Sequence, residues 1–137
     1  MQIDLKLKDN FHMSAQNSQG NVLEMDASPS IGGQDKGFRP METLLAGLAG
    51  CSSIDVLNIL RKQRQEVRDL QVRVEADRDS EQIPSLFTAI RIHFTVFGDI
   101  PQDRVERAVK LSMDKYCSVA KILEKTAPIT YDFQVKA

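Results

Sequence analysis

The sequence predicts an α+β domain, and three observations support this prediction. Segments that alternate apolar and polar residues, typical of half-buried strands, occur near both ends of the chain and after its midpoint. One long segment, between Pro40 and the basic run at residues 61–64, is apolar or small at nearly every position and has helical spacing. Strands grouped around such a helix are typical of α+β architecture.

The first 27 residues predict a three-stranded meander. Residues 2–8 alternate apolar and polar side chains, Asp9 and Asn10 supply turn chemistry, and the alternation resumes at Phe11. A second turn at residues 17–21 leads into a third alternating segment. Short turns between consecutive strands favour antiparallel pairing.

A loop rich in glycine and proline at residues 28–39 leads to the long helix, whose first turn accommodates Pro40. Small residues such as Ala46, Ala49 and Gly50 let neighbouring backbone come close. Because so few of its positions are polar, we expect this helix to be buried and to form the centre of the core.

The same apolar segment, from Met41 to Leu60, approaches the length that spans a membrane. It carries Glu42, Asp55 and Asn58, which a hydrocarbon environment would penalise. The segment therefore predicts a buried helix of a globular protein rather than a membrane span.

Residues 70–77 and 90–96 alternate apolar and polar side chains and predict two long antiparallel strands. A helix is expected to begin near Pro101, and a second helical segment follows, for which Ser118 is a candidate N-cap. A last strand covers residues 129–135. The predicted order is βββ-α-ββ-α(α)-β in a single domain, residues 1–137.

The balance of charges disfavours two classes of partner. The chain has 18 Lys and Arg against 19 Asp and Glu, a formal net charge of -1, so neither nucleic acid nor a membrane surface is an expected partner. The N-terminal residues lack the basic flank and apolar run of a signal peptide, which predicts a cytoplasmic protein.

The two cysteines, Cys51 and Cys117, are the candidate reactive groups. Two cysteines so far apart form neither a disulfide framework nor a metal-binding motif, and His12 and His93 are distant from both in sequence, so no metal site and no cofactor are predicted. The pair is either two small buried apolar residues or a redox couple. In a redox couple, one thiolate reacts with peroxide to give a sulfenic acid, which the second thiol condenses to a disulfide.

Two sequence motifs contain these cysteines and carry a resemblance to a known family. The chain resembles the OsmC/Ohr superfamily of thiol-dependent peroxidases, and its pattern is closest to the less characterised OsmC-like branch. The order of elements extends the resemblance over the whole chain. The motifs are Arg39-Pro40-Met41-Glu42-Thr43-Leu44-Leu45-Ala46-Gly47-Leu48-Ala49-Gly50-Cys51-Ser52-Ser53-Ile54-Asp55-Val56 and Tyr116-Cys117-Ser118-Val119.

The resemblance implies an intertwined homodimer in which two central helices pack back to back, with each active site at the subunit interface. It implies that Cys51 is the peroxidatic cysteine and Cys117 the resolving one. The implied reaction reduces small organic hydroperoxides to alcohols, with a dithiol reductant, often of the lipoyl type, restoring the thiols. The alternative is a non-catalytic dimeric module that binds a hydrophobic small molecule or acts in redox regulation.

Arg39 and Glu42 are the remaining candidate catalytic residues. Hydroperoxide-reducing members of the family carry an acidic residue directly after the proline, where this chain has Met41 and then Glu42, and they carry an arginine on the N-terminal strands, whereas no arginine here precedes Arg39. Arg39 is thus the candidate to stabilise the Cys51 thiolate. The alternatives are a solvated loop arginine at position 39 and, at position 42, a glutamate that simply favours the first helical turn.

Overall fold

The computed structural model describes all 137 residues and divides into two compact units, Met1–Leu44 and Leu45–Ala137. The elements follow one another as three strands, a long helix, two strands, two helices and a strand. The predicted α+β class and order of elements are therefore confirmed. That the whole chain forms a single domain stays a prediction.

The first unit opens with the predicted antiparallel meander. Its strands are β1 (Ile3–Asp9), β2 (His12–Asn17) and β3 (Val22–Met25), which pair in the order β1-β2-β3. The two turns use left-handed backbone, at Asn10 with φ of 56° and at Gly20 with φ of 87°. Asparagine and glycine tolerate that conformation best, so the turn residues in the sequence fix where each strand ends.

The loop after β3 is organised around a buried carboxylate. Asp26 accepts N–H bonds from Ala27 at 2.7 Å and from Gln34 and Lys36, both at 3.1 Å. Burial alone would raise the pKa of Asp26, but the three backbone donors outweigh it and hold the pKa below its usual range. The sequence predicts only an exposed loop here, because it does not reveal which acid turns inward.

The long helix, α1 (Pro40–Lys62), begins where the sequence predicts. One face is buried in the core of this chain, whereas the face that carries Gly47, Gly50 and Ile54 is not: Ile54 is 69% exposed, and a Cβ at either glycine would meet nothing within 4 Å. The prediction that α1 is buried on nearly all sides is wrong for a single chain, because no other element of the chain covers that face. The buried positions are Leu48, Ser52, Val56 and Leu60.

By length and composition alone, α1 is also a candidate membrane span, with a mean hydropathy of 1.6. The core helix of a globular protein meets the same criteria, and α1 places Leu48, Val56 and Leu60 in the core with no exposure. Hydropathy therefore does not distinguish the two roles for this helix.

The second unit contains a mixed sheet of three strands, β4 (Asp69–Arg78), β5 (Phe87–Phe97) and β6 (Ile129–Lys136), in the order β4-β5-β6. β4 and β5 are antiparallel, as predicted, and β6 pairs with β5 in parallel. The central strand supplies much of the core, because the apolar residues of its alternating sequence share one face. Its fully buried side chains are Ile90, Ile92, Phe94 and Val96.

Two helices join β5 to β6. Helix α2 (Gln102–Leu111) passes into a π-helical turn, Ser112–Tyr116, and α3 (Ser118–Leu123) follows. The prediction that Ser118 is the N-cap is wrong by one residue, because the wide turn ends at Cys117, which has extended backbone and caps α3 itself. Such turns are often found at functional sites.

Candidate functional site

The fold of the second unit brings Cys51 and Cys117 together although 65 residues separate them in sequence. Cys51 lies on α1 and is half-buried, whereas Cys117 precedes α3 and is fully buried. Their sulfur atoms and a carboxylate oxygen of Asp55 all lie within 4.8 Å of one another. Both cysteines are free thiols.

Asp55 lies one helical turn after Cys51, and Ser112 fixes its orientation. The Ser112 hydroxyl donates to Oδ2 of Asp55 at 3.0 Å, and its oxygen is 3.4 Å from the carbonyl oxygen of Ser52. Ser112 is fully buried and begins the π-helical turn. Ser112 is not predictable from the sequence as a site residue, since a serine at the end of a helix carries no signal of a tertiary partner.

Cys117 is held as a neutral thiol. Burial raises the pKa of Cys117 to about 12, and the nearby Cys51 and Asp55 add to the increase, while the Ala120 N–H opposes it by donating to the sulfur at 3.4 Å. A buried thiol of this kind is a poor nucleophile, because the thiolate and not the neutral thiol reacts.

Arg39 and Glu42 belong to the first unit, and each has a local partner there. The Arg39 guanidinium forms an ion pair with Asp35 and contacts the Gly37 carbonyl oxygen at 3.4 Å. Oε1 of Glu42 accepts the backbone N–H of Arg39 at 2.7 Å, which is the usual role of a glutamate at the third helical position. These contacts agree with the structural alternatives for both residues, and a catalytic role for either stays a prediction.

A cavity of about 360 Å³ opens beside the thiol pair, because Asp55 and Tyr116 are among its lining residues. Its walls combine apolar and polar side chains, and the buried Oε1 of Gln63 has no hydrogen-bond partner. A molecule in this cavity would contact both apolar and charged side chains. The other lining residues are Asn58, Ile59, Lys62, Gln63, Arg107 and Leu111.

A larger concave surface of about 770 Å³ lies on the polar face of the β4-β5-β6 sheet and shares no lining residue with the thiol site. His93 Nδ1 lies 2.6 Å from Oδ1 of Asp132 there, and Arg91 donates to both carboxylate oxygens of Asp77 at 2.8 and 3.1 Å. These contacts pair His93 and Arg91 with acids of the same sheet, so the thiol pair remains the candidate reactive centre.

The sequence matches one family model and a relative that aligns over its full length. A family model described as OsmC-like protein matches residues 33–132, which include both cysteines. Protein YhfA of Escherichia coli K12 is 41% identical over 138 residues, and the alignment covers 100% of this chain and 99% of that protein.

Solved structures show the same fold. The OsmC-like protein of Mycoplasma pneumoniae superposes with a TM-score of 0.84 at 18% identity and covers 99% of this chain and 96% of its own. An organic hydroperoxide resistance protein OsmC from Legionella pneumophila superposes with a TM-score of 0.69 at 15% identity. The alignment covers 100% of this chain and 98% of that protein's chain. The chain therefore belongs to the OsmC-like family.

Proposed function

We propose that this protein reduces organic hydroperoxides to alcohols, with Cys51 as the peroxidatic cysteine and Cys117 as the resolving one. The observation that carries the proposal is the approach of the two sulfur atoms to within 4.8 Å, one of them half-buried and the other shielded from solvent. A reactive thiol needs access to substrate, whereas a resolving thiol needs only access to its partner.

The reaction proceeds in two steps that balance. The Cys51 thiolate attacks the terminal oxygen of the hydroperoxide, the O–O bond breaks, and the alkoxide takes up a proton and leaves as the alcohol. Cys51 is then a sulfenic acid. The Cys117 sulfur attacks the Cys51 sulfur, and hydroxide leaves as water together with the Cys117 proton. The raised pKa of Cys117 keeps that proton on the thiol until this step.

A dithiol reductant, of the lipoyl type in our proposal, restores the protein by thiol–disulfide exchange and is itself oxidised to a disulfide. Two free thiols that cycle in this way suit the reducing conditions of the cytoplasm. The related Legionella protein is described as an organic hydroperoxide resistance protein, which supports the substrate class. The name of YhfA states no activity.

A catalytic contribution from Arg39 and Glu42 needs its own test, because both residues have structural partners. Glu42→Gln separates the two roles, since an amide oxygen can still accept the Arg39 N–H but carries no charge. A catalytic glutamate predicts a fall in the rate of Cys51 oxidation with unchanged stability. A purely capping glutamate predicts an unchanged rate.

We further propose that the protein works as a homodimer. Both units expose apolar side chains that one chain leaves uncovered: Ile3, Leu5 and Leu7 on β1 are 63%, 53% and 67% exposed, and Ile54 on α1 is 69% exposed. Proteins of the OsmC/Ohr family are dimers. A second copy packed on α1 would also account for Gly47 and Gly50, which nothing in a single chain requires to be small.

Substitutions at two similarly exposed isoleucines, Ile54 and Ile122, test the proposed dimer. Ile54→Glu places a charge on the proposed interface and is expected to shift the protein to a monomer, as measured by light scattering after size-exclusion chromatography. Ile122→Glu is the control, because Ile122 is 68% exposed on α3 between the ion-paired Lys121 and Glu124. A monomeric wild-type protein, or dissociation by both substitutions alike, would contradict the proposal.

The peroxidase proposal is tested by oxidising the reduced protein with one equivalent of cumene hydroperoxide in the presence of a chelator. We expect both thiols to be lost and a peptide linking Cys51 to Cys117 to appear by mass spectrometry. Cys51→Ser should not react, whereas Cys117→Ser should retain a sulfenic acid that dimedone captures. Unchanged thiol counts in the wild-type protein would rule out the proposal.

The second candidate is a non-catalytic module that binds a hydrophobic small molecule, or acts in redox regulation, beside the cysteines. The cavity of about 360 Å³ favours it, since Ile59, Leu111 and Tyr116 form part of the wall. Retained ligand binding in a double Cys→Ser variant, with no peroxide consumption by the wild-type protein, would favour this candidate.

A further inference from the structure

Three side chains of metal-ligating type converge at the thiol site. Cys51 and Asp55 lie four residues apart on α1 and share one face of the helix, and Cys117 approaches them from the start of α3. One ligand atom from each lies within 4.8 Å of the other two. The sequence predicts no metal site because the motif spans two helices, so the cluster exists only in the folded chain.

The donor set matches thiophilic divalent cations. Zn²⁺ binds thiolate sulfur at about 2.3 Å and carboxylate oxygen at about 2.0–2.2 Å in tetrahedral geometry, which places ligand atoms about 3.5–3.8 Å apart. Side-chain rotation of Cys51 and Asp55, both half-buried, can supply the remaining movement of about 1 Å without a change in the helix backbone.

The surroundings of the cluster are compatible with coordination. The Ser112 hydroxyl donates to Oδ2 of Asp55 and leaves Oδ1 free for a ligand. The Ala120 N–H donates to the Cys117 sulfur, an arrangement that also stabilises metal-bound thiolates. Hydrogen bonds of this kind orient metal ligands in other proteins.

The site also has an opening and an uncompensated charge. The cavity of about 360 Å³ reaches Asp55 and has room for a water molecule as the fourth ligand. Asp55 takes part in none of the ion pairs of the chain. A cation would thus give this carboxylate an electrostatic partner, which no side chain of the chain provides.

We propose that the reduced protein binds one divalent cation of the zinc class through Cys51, Asp55 and Cys117, with water in the fourth position. Two thiols lose their protons to solvent as the two metal–sulfur bonds form. The bound ion occupies both sulfur atoms, so it blocks their oxidation and makes the metal-loaded protein unreactive toward peroxide. Binding itself requires no turnover, so this site goes beyond the proposed peroxidase activity.

The test uses Co²⁺ as a spectroscopic probe and Zn²⁺ as its competitor, with the reduced full-length protein. We expect a thiolate-to-cobalt charge-transfer band and tetrahedral visible bands, both displaced by one equivalent of Zn²⁺. Cys51→Ser and Cys117→Ser should each weaken the charge-transfer band, and Asp55→Asn should lower the affinity by at least about tenfold. Asp103→Asn is the control, since Asp103 lies exposed in the first turn of α2.

Three results would overturn the proposal: cobalt bound without the charge-transfer band, equal binding by the disulfide-oxidised protein, or unchanged affinity in Asp55→Asn. The outcome is separable from that of the peroxidase test, because metal binding is measured without peroxide and peroxide reduction is measured with a chelator. Metal binding without peroxidase activity would leave this site standing and remove only the enzymatic proposal.

Discussion

At the scale of single residues, Ser112 connects α1, which carries Cys51, to the residue that caps α3, Cys117. Its hydroxyl is the donor to Asp55, and its backbone oxygen accepts the Cys117 N–H at 2.8 Å. One side chain and one carbonyl group therefore hold the acid and the buried cysteine in place. Since Ser112 itself is fully buried, solvent cannot replace its hydroxyl directly.

Replacement of Ser112 by alanine removes that donor. We expect Ser112→Ala to lower the free energy of unfolding by about 1–3 kcal/mol, because Asp55 loses a hydrogen bond to its carboxylate. Urea denaturation measures the change. Ser118→Ala is the control: Cys117 rather than Ser118 caps α3, so its effect should stay within about 0.5 kcal/mol. A larger loss at Ser118 than at Ser112 would contradict this account.

The two thiols should differ in reactivity. Because Cys117 is buried and its pKa is raised to about 12, it remains a neutral thiol at pH values where an exposed cysteine, with a pKa of about 8.5, is largely ionised. We expect iodoacetamide at pH 9 to alkylate Cys51 first and Cys117 only after unfolding. Peptide mapping with time gives both rates, and protein in urea provides the reference. Equal rates in the folded protein would show that Cys117 is accessible and ionisable.

At the scale of elements, the loop around Asp26 depends on the charge of one carboxylate. The pKa of Asp26 is lower in the folded chain than in the unfolded chain, so the unfolded state binds more protons in acid. The stabilisation is present above about pH 4, near the unfolded pKa of an aspartate, and is lost as the pH falls through the folded pKa.

Asp26→Asn tests this dependence. We expect the variant to be less stable than the wild-type protein at pH 7, because a neutral amide is a weaker acceptor for the Gln34 and Lys36 N–H groups. We also expect the difference to shrink as the pH falls below about 4, where the aspartate of the unfolded chain becomes protonated, and to vanish as the pH falls through the lower folded pKa. Unfolding free energies from pH 7 to pH 3 give the curve. A difference that is independent of pH would contradict the role of charge.

Elements with one buried face could be predicted from the sequence. Features that depend on contacts between residues distant in sequence could not. β4 alternates because Leu70, Val72 and Val74 turn inward while their neighbours face solvent, and Asn10 and Gly20 mark the turns of the meander. The π-helical turn before Cys117 could not be predicted from the sequence, since its residues continue the helical pattern of α2. The pairing of Cys51 with Cys117 could be expected only from the resemblance to the OsmC/Ohr family. The hydrogen bond from Ser112 to Asp55 could not be expected at all.

At the scale of the whole molecule, α1 raises the question of what covers its open face. Its sequence is apolar or small on nearly all sides, which predicts complete burial, yet one chain buries a single face. In the proposed dimer, a second copy would cover the open face and resolve the disagreement without any change in the fold.

Substitutions at Gly50 distinguish the assembled protein from the isolated chain by the sign of their effect. In a single chain, a side chain at this position meets open space, so Gly50→Ala and Gly50→Leu should each raise stability by about 0.5–1 kcal/mol through helix propensity. At a close-packed interface the added atoms collide with the partner helix, and the loss should grow from alanine to leucine. We expect the second pattern, with a weaker dimer in sedimentation equilibrium and a lower melting temperature for Gly50→Leu. Stabilisation by both substitutions would mean that this face of α1 remains open in solution.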